Sequence, residues 1–319
     1  MDFKFTDPTL MDKNKEEKKE EEIKVVYSGC YEDTPENAEI FIEEGIEEIA
    51  ENTFRDFKCL KKIHFPKSLK TVSAAAFLGC ANLESVDMNH GLVEILDEAF
   101  SSCPSLSVVN MPDTVTRIGE GAFEGCASLS KLKLSESILM IGASAFAFCF
   151  NLRDVTVPDS CVLIEFNAFS SCFSLESVKL SNNMGLIDES TFEGCRSLTT
   201  VDMPSVLVKI GRRAFKGCTS LASTILPITV REIGLDAFAG CTSLKRIAIP
   251  RDVQMLEDED IFAGCDSLTD ISFGGSREAW ELLTHGKTLT VQKSDLSLTV
   301  PKLTFLNLKN KNEVQMSDT

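Results

Sequence analysis

The sequence predicts a β-rich solenoid with a parallel strand ladder and short 3₁₀-like turns, and two periodic features carry this prediction. The first is a column of phenylalanines spaced 23 residues apart, with a last step of 24, and the second is a column of cysteines three residues after nine of them. A fixed period of this length is typical of repeat proteins, whose coils bury apolar side chains only against their neighbours. The phenylalanines are Phe54, Phe77, Phe100, Phe123, Phe146, Phe169, Phe192, Phe215, Phe238 and Phe262.

The acidic composition of the chain argues against nucleic acid as a partner. The formal net charge is −17 at pH 7, and a surface of this sign repels nucleic acid and favours basic or neutral ligands. No stretch approaches the roughly 20 apolar residues of a membrane span, and residues 1–22 lack the apolar core of a secretory signal peptide. These observations predict a cytoplasmic protein. Location at the cell surface or secretion by a non-standard route is the alternative.

The N-terminal region divides into a tail and a cap. Residues 1–23 contain the mixed charge run Lys13–Glu22, which predicts a disordered tail, with a frayed helix as the alternative. Residues 24–46 are strand-like and are expected to pair onto the first coil as a cap. The acidic stretch from Glu32 to Asp56 is expected to be a solvated cap face, and a docking site for a basic partner is the alternative.

About ten coils occupy residues 47–275, and each follows one pattern when positions are counted from its phenylalanine as offset 0. Leucine occupies offset 6 in every coil, and apolar residues at offsets 9 and 11, as in Val155 and Val157, predict a short strand with one face inward. Apolar residues at offsets 15 and 18 predict a second short segment. Because each coil repeats the last, successive strands are expected to pair in parallel and in register.

The turn after each phenylalanine is predicted from glycine. Six coils carry glycine at offset 2, which fits a left-handed residue that closes a tight 3₁₀-like turn, such as Ala122–Cys126. Phe148 occupies this offset in its own coil. Since a bulky residue at positive φ is an outlier, the backbone of this turn is expected to differ from the others.

The C-terminal region, residues 276–308, is expected to be a second cap, followed by a tail at 309–319. Ser276 can cap a short helix that contains Trp280, and Trp280 is expected to anchor this cap, with a ligand platform as the alternative. Apolar alternation at 289–291, 296–300 and 303–306 predicts closing strands.

The repeat resembles the BspA-type leucine-rich repeat. The pattern Ile-Gly-x-x-Ala-Phe-x-Gly-Cys-x-Ser-Leu-x-x-Val-x-(Leu/Met)-Pro is clearest in Ile118–Pro158 and Ile210–Pro250, and Phe273–Trp280 is similar to a closing motif often found after such repeats. The resemblance covers about residues 40–275. It implies a right-handed leucine-rich-repeat solenoid without an intrinsic catalytic site, and members are commonly surface or secreted proteins that bind host proteins, cells or matrix.

No motif predicts catalysis, a cofactor or a metal site. The three histidines, His64, His90 and His285, are scattered along the chain, so they cannot form one metal site or one nucleophile–base pair. The nine column cysteines are expected to be reduced, buried thiols, and the absence of a CxxC pair argues against zinc. We therefore expect no enzyme, with a site assembled across several coils as the remote alternative.

The candidate functional surface is a set of apolar residues in the central coils. Offsets 16 and 17 are polar in most coils, as in Lys70 and Thr71, but apolar in the centre, where extra aromatic residues also occur. Exposed apolar patches of this kind usually mark an interface, and the alternative is that these residues belong to the core. The candidate residues are Leu139, Met140, Phe148, Phe150, Val162, Leu163, Phe166, Phe173, Leu186 and Val208.

These features together predict a non-enzymatic scaffold that binds protein partners on the solenoid surface. The expected partners are other proteins, and self-association through the same surface is one form that this binding can take. A surface adhesin directed at a host or matrix, which the family resemblance implies, is the alternative function.

Overall fold

The computed structural model describes residues 38–256, 259–285, 291–293 and 298–305. The predicted tails at 1–23 and 309–319, and the first part of the predicted N-terminal cap, lie outside these residues.

The described residues form twenty-four short strands, one α-helix, α1 (Arg277–Leu283), and one 3₁₀ helix (Glu259–Phe262). In chain order the strands are β1 (Ala38–Phe41), β2 (Glu48–Ile49), β3 (Leu60–His64), β4 (Thr71–Val72), β5 (Ser85–Asp87), β6 (Glu94–Ile95), β7 (Val108–Asn110), β8 (Arg117–Ile118), β9 (Lys131–Lys133), β10 (Met140–Ile141), β11 (Asp154–Thr156), β12 (Leu163–Ile164), β13 (Ser177–Lys179), β14 (Leu186–Ile187), β15 (Thr200–Asp202), β16 (Lys209–Ile210), β17 (Ser223–Ile225), β18 (Glu232–Ile233), β19 (Arg246–Ile249), β20 (Met255–Leu256), β21 (Asp270–Phe273), β22 (Val291–Gln292), β23 (Leu298–Thr299) and β24 (Lys302–Phe305).

The strands stack on two faces of a parallel β-solenoid, which confirms the predicted fold class. Strands β1 to β21 with odd numbers form the long-strand face, and β2 to β20 with even numbers form the short-strand face. Neighbouring central strands pair in parallel with partners one repeat apart, as in Val155 with Val178. The predicted register is therefore correct.

Hydrogen bonding between strands is interrupted at three places along the solenoid. On the long-strand face the breaks fall between β9 and β11 and between β15 and β17, and on the short-strand face the break falls between β12 and β14. The sequence pattern, which is the same in each coil, does not predict these interruptions.

The phenylalanine column forms the centre of the core. Adjacent rings are nearly parallel and stack with centroid distances from 4.9 Å, between Phe77 and Phe100, to 6.0 Å, between Phe238 and Phe262. Every ring in the column is at most 1% exposed. Aromatic pairs of this kind contribute about 0.5–1.5 kcal/mol each beyond the area they bury, so the column holds successive coils together.

The turns around each phenylalanine from Phe54 to Phe238 contain two left-handed residues, one two positions before the ring and one two positions after it. In the coil of Phe123 these residues are Gly121 and Gly125, with φ of 59° and 72°. The amides of Phe123 and Gly125 donate to carbonyls of the next coil, at 2.8 and 2.9 Å. Backbone amides in this region donate alternately to the next coil and to the residue three positions earlier in the same coil. Most coils therefore have separate i→i+3 turns instead of one continuous helical turn.

The nine column cysteines are free and buried, as predicted. Each thiol donates to the carbonyl oxygen of the phenylalanine one coil earlier, with distances from 3.0 Å for Cys80 to 3.4 Å for Cys149. Cys59 lies outside this column and is disulfide-bonded.

The C-terminal cap begins with α1, and the Ser276 hydroxyl accepts a hydrogen bond from the Ala279 amide at 3.2 Å. Trp280 is buried against Phe273, with 5.1 Å between ring centroids, as expected for an anchor. Strand β24 pairs in parallel with β21, while β22 and β23 form a small antiparallel pair. The segments 286–290 and 294–297, which include parts of two predicted closing strands, lie outside the described residues.

Candidate interaction surface

The candidate apolar residues of the central coils lie at the surface of the solenoid. Leu139, Val162 and Val208 are 52%, 60% and 45% exposed, respectively. Met140 and Leu163 are half-buried. The alternative that these side chains are core is therefore wrong. The contacts divide the candidate residues other than Phe166 into two groups, one aliphatic and one aromatic.

The aliphatic group lies on the short-strand face, and we call it the aliphatic stripe. Met140 in β10 pairs with Leu163 in β12, and the Val162 amide donates to the Leu139 carbonyl at 3.0 Å. The stripe continues across the break between β12 and β14. Its members are Leu139, Met140, Val162, Leu163, Leu186 and Val208.

The second half of the stripe starts at β14, where Leu186 pairs with Lys209 of β16. The Val208 amide donates to the Gly185 carbonyl at 2.8 Å. Gly185 stands at offset 16, between Val162 and Val208, so the stripe has a gap without a side chain at its centre. A Cβ placed on Gly185 would find Val206 O at 4.0 Å as its nearest neighbour, so the gap is open.

The aromatic group lies at offsets 2 and 4, and we call Phe148, Phe150, Phe173 and Arg196 the aromatic cluster. The rings of Phe148 and Phe150 meet edge to face at 6.3 Å, and those of Phe150 and Phe173 stack at 4.9 Å. The Arg196 guanidinium lies 4.6 Å from the Phe173 ring centroid, which is a cation–π distance. Sequence reasoning missed Arg196, although its offset matches that of Phe173.

Phe166 lies at offset 20, in the turn between the aliphatic stripe and the next phenylalanine. It is exposed, and its carbonyl accepts a hydrogen bond from the Ser144 amide at 3.0 Å. The structure gives it no ring contact with the aromatic cluster among the described residues. It therefore belongs to neither group, although it lies between them along the coil.

The backbone at Phe148 contradicts the expectation drawn from its sequence. Its φ is 61°, in the same left-handed region as Gly125 at 72° in the preceding coil, so the turn does not change to suit the larger residue. The Phe148 amide donates to the Ser170 carbonyl at 2.9 Å, which is the same inter-coil bond that Gly125 makes. The neighbouring coils therefore hold Phe148 in a conformation that is unfavourable for a bulky side chain.

Charged residues flank the aliphatic stripe on both sides. On one side Arg117 pairs in register with Met140, and Glu94 pairs with Arg117. On the other side Lys209 forms an ion pair with Glu232 at 3.0 Å. Among the described residues Arg117 makes no ion pair, and its buried Nε atom has no hydrogen-bond partner.

An acidic group lies one coil before Phe148. The pKa of Glu124 is raised by partial burial and by the nearby carboxylates of Glu98 and Glu120. Glu124 also acts electrostatically on Cys149, the residue after Phe148. The aromatic cluster therefore has a negative border on this side.

A second polar feature lies at the N-terminal end of the long-strand face. The ring nitrogens of His64 contact Glu39 in β1 at 2.6 Å and Asp87 in β5 at 2.7 Å, and the ring stacks on Phe41. Lys62 lies 3.5 Å from Glu39 and 3.6 Å from Asp87. These contacts tie the first strand to the next two coils.

The chemistry available on the described residues is limited. They contain no group of three or more His, Cys, Asp or Glu side chains able to hold a metal ion. Burial raises the pKa of the Cys126 and Cys172 thiols to about 12, so these thiols are not nucleophiles at neutral pH.

An open groove of about 660 Å³ lies on the long-strand face, beside the break between β9 and β11, and is lined by residues that include Lys133, Thr156, Lys179 and Asp202. None of its lining residues is a histidine or cysteine, so the groove offers no evident nucleophile–base pair. None of the helices in the described ranges is long and apolar enough to cross a bilayer.

The fold and the sequence pattern together define a leucine-rich repeat protein. A profile of the BspA type Leucine rich repeat region matches the chain in six copies, over residues 24–153, 93–222 and 140–269. The chain therefore belongs to the BspA-type leucine-rich repeat family. This family suggests a protein-interaction scaffold or an adhesin.

One solved structure with a TM-score above 0.5 supports the same fold. A leucine-rich repeat protein from Bacteroides ovatus ATCC 8483 has 23% sequence identity and a TM-score of 0.55, over 84% of this chain and 83% of that chain. A leucine rich cell surface protein from Faecalibacterium prausnitzii A2-165 has 23% identity and a TM-score of 0.41, over 79% and 94%. The T. pallidum leucine rich repeat protein has 24% identity and a TM-score of 0.42, over 71% and 91%. A search of curated proteins finds no match.

Proposed function

We propose that this protein is a non-enzymatic scaffold that binds protein partners through the apolar surface of its central coils. The observation that carries the proposal is the exposure of Leu139 and Val162, at an offset that carries a polar residue in several other coils, such as Lys70 and Arg231. Exposed apolar side chains in neighbouring coils form a continuous surface, and such surfaces usually mark interfaces. The aromatic cluster adds the residue types, Phe and Arg, that are enriched at interface cores.

The experiment is partner capture by chemical cross-linking and affinity purification under native conditions. The double variant Leu139→Glu, Leu163→Glu introduces two charges into the aliphatic stripe, and we expect it to fold and to lose partners that the wild type retains. The matched control is Thr71→Glu, Gln254→Glu, which adds the same two charges at the same offsets outside the stripe. Equal capture by all three proteins would contradict the proposal.

We also propose that the protein acts outside the cytoplasm, as a surface or secreted protein. The disulfide at Cys59 supports this location, because disulfides persist in oxidising compartments and are rare in the cytosol. The family suggests the same location and an adhesin role, which would use the same central surface. Cytoplasmic location stays a sequence-based prediction. Protease treatment of intact cells separates the two, since only a surface protein is cleaved while cytosolic markers stay intact.

A further inference from the structure

We propose that the aliphatic stripe is a self-association surface occupied by a second copy of this chain, with the coils of the two copies running in opposite directions. This inference rests on the proposed function and names one partner for it. The order of charges along the stripe, the lack of an ion pair at Arg117 and the gap at Gly185 support it.

The charges on the short-strand face are arranged asymmetrically about the stripe. At offset 17 the order along the solenoid is Glu94, Arg117, Met140, Leu163, Leu186, Lys209 and Glu232. Lys209 and Glu232 already form an ion pair. Arg117 makes none among the described residues, and its side chain is half-buried, with its Nε atom already covered by this chain. A partner that covers the stripe must therefore supply an acceptor opposite Arg117, because covering an unpaired charge is costly.

Two-fold symmetry allows few ways to place one stripe on another. In a closed dimer of identical chains the same surface meets itself. Residues at one offset in successive coils form a column along the solenoid. If the two-fold axis lies in the interface and parallel to the strands, each column faces the same column of the second copy, and the coils of the second copy run in the opposite order. If the axis instead runs along the solenoid over offset 17, each residue of that column meets its own equivalent, so Arg117 meets Arg117. The charges therefore favour the reversed arrangement.

The position of the axis is set by the same charges. An axis at Leu163 places Arg117 opposite Lys209 of the second copy, which is a like-charge contact. An axis between Met140 and Leu163 places Arg117 opposite Leu186, which leaves its charge unpaired. An axis between Leu163 and Leu186 places Arg117 opposite Glu232 of the second copy. This third register is the one that we propose, and its axis falls at the break between β12 and β14.

The shape of the stripe at offset 16 fits the same register. Val162, the most exposed member of the stripe at 60%, then faces Gly185 of the second copy, where the space above the Cα is open. Leu139 faces Val208 in the same way. At offset 16 the projecting side chain therefore meets the gap, and Leu139 meets an apolar partner. At offset 17 Met140 faces Lys209 of the second copy, whose ammonium is already paired with Glu232.

The proposed dimer interface is short, so we expect the two copies to bind each other weakly. Five coil steps separate Arg117 from Glu232, a length of about 24 Å at the usual strand spacing. Interfaces at this end of the size range are typically weak. We therefore expect a dissociation constant in the micromolar range and a mixture of monomer and dimer in purified protein.

Sedimentation velocity over a series of protein concentrations tests self-association directly. Wild-type protein should shift from monomer to dimer as concentration rises, and Leu163→Glu should stay monomeric. Thr71→Glu, which places the same charge in the same offset column outside the interface, should behave as wild type. A monomer at every concentration, or a dimer that Leu163→Glu leaves unchanged, overturns the proposal.

Two further variants test the register. Gly185→Leu adds apolar surface but fills the gap that Val162 enters, so the dimer should weaken; a stronger dimer would show nonspecific association and overturn the register. Arg117→Glu should weaken the dimer by about tenfold. Adding Glu232→Arg to that variant restores opposite charges across the interface and should recover most of the affinity, and failure to recover it also overturns the register.

The outcome also separates this inference from the proposed function. If the protein is monomeric while the double variant Leu139→Glu, Leu163→Glu still loses captured partners, the inference fails and the proposed function stands. If the protein dimerises as described but captures no other protein, the inference stands and the proposed role as a scaffold for other proteins fails.

Discussion

The Cys103 thiol donates a hydrogen bond to the carbonyl oxygen of Phe77, one coil earlier, at 3.2 Å. Cys126 makes the same bond to Phe100 at 3.3 Å, and the relationship repeats through the cysteine column. A thiol deprotonated at this position would lose its donor and leave a charge in the core. The column therefore links the stability of the solenoid to the protonation of its thiols.

This link predicts that the protein loses stability in alkaline solution. Burial raises the pKa of Cys126 and Cys172 from the ordinary 9.0 to about 12. Because the folded state keeps these protons while the unfolded chain loses them, the stabilisation is complete below pH 9 and declines as the pH rises from 9 towards 12. Urea unfolding midpoints measured across this range should fall.

The matched control for the alkaline prediction is Cys126→Ser, which keeps a hydroxyl donor of similar size but does not titrate in this range. Its midpoint should fall less steeply with pH than that of the wild type. A midpoint that is independent of pH in the wild type, or an equal slope in both proteins, would contradict the role given to the thiols.

Much of this fold could be predicted because every coil obeys the same rule. Phe123 and Cys126 mark the core, and Val155 marks a strand, through spacing alone. The left-handed residue two positions before each ring could not be predicted, since it is Ser144 in one coil and Arg213 in another. Its conformation is imposed by hydrogen bonds to the next coil, so local residue preference carries little signal.

The candidate surface was only partly predictable, because its geometry also depends on contacts between coils. The unusual offsets of Leu139 and Val162 mark them in the sequence, but exposure depends on where the chain turns after β9 and β11. The position of Arg196 over Phe173 depends on stacking between coils. The exposed Ile225, at 86%, was visible as an apolar residue at an outward offset, although it lies outside the stripe.

A second prediction concerns two glycines whose surroundings differ. A Cβ on Gly142 would lie 2.6 Å from the Gly119 carbonyl carbon and 2.8 Å from the Glu120 amide. Since both neighbours are backbone, the coils would have to separate, and Gly142→Ala should lower the free energy of unfolding by about 1–3 kcal/mol. Chemical denaturation with circular dichroism measures this change.

The control for the glycine prediction is Gly185→Ala, because a Cβ there would meet only Val206 O at 4.0 Å. This variant should be neutral or stabilising by about 0.4–1 kcal/mol, since alanine restricts the unfolded chain. Equal loss of stability in both variants would show that close packing between coils is not what requires Gly142.

A third prediction concerns the N-terminal end of the long-strand face at low pH. The hydrogen bond from His64 and the charge of Lys62 lower the pKa of Glu39 from its ordinary 4.5. A lowered pKa means that the stabilisation is present above pH 4.5 and is lost as the pH falls through the lower folded value. Strand β1 should therefore loosen in acid before the central coils do.

The amide signal of Ile40 in β1, followed by NMR during acid titration, tests the loosening of this strand. Glu39→Gln removes the titrating group, so its Ile40 signal should already resemble the acid form at neutral pH and should change little on titration. If β1 and the central coils respond at the same pH, the contact between His64 and Glu39 does not control the strand.

The last prediction concerns Phe148, which combines backbone strain with exposure. Its φ is 61° and its side chain is 42% exposed, so the left-handed conformation, which costs about 1–2 kcal/mol, is not repaid by full burial of the ring. Phe148→Gly removes this strain and adds about 0.5–1 kcal/mol of chain entropy cost. We expect the free energy of unfolding to stay level or to rise by up to about 1 kcal/mol.

Phe148→Gly should weaken partner binding although it does not lower stability, because it removes one ring of the aromatic cluster. The control is Gly125→Ala at the same offset, where a Cβ would lie 3.7 Å from Ser102 Cα, so the left-handed φ is the main source of its cost, about 1 kcal/mol. Denaturation and partner capture on the same samples separate the two roles. If Phe148 served folding, its replacement would lower stability and leave binding unchanged; weaker binding in a fold that is at least as stable assigns Phe148 to the interaction surface.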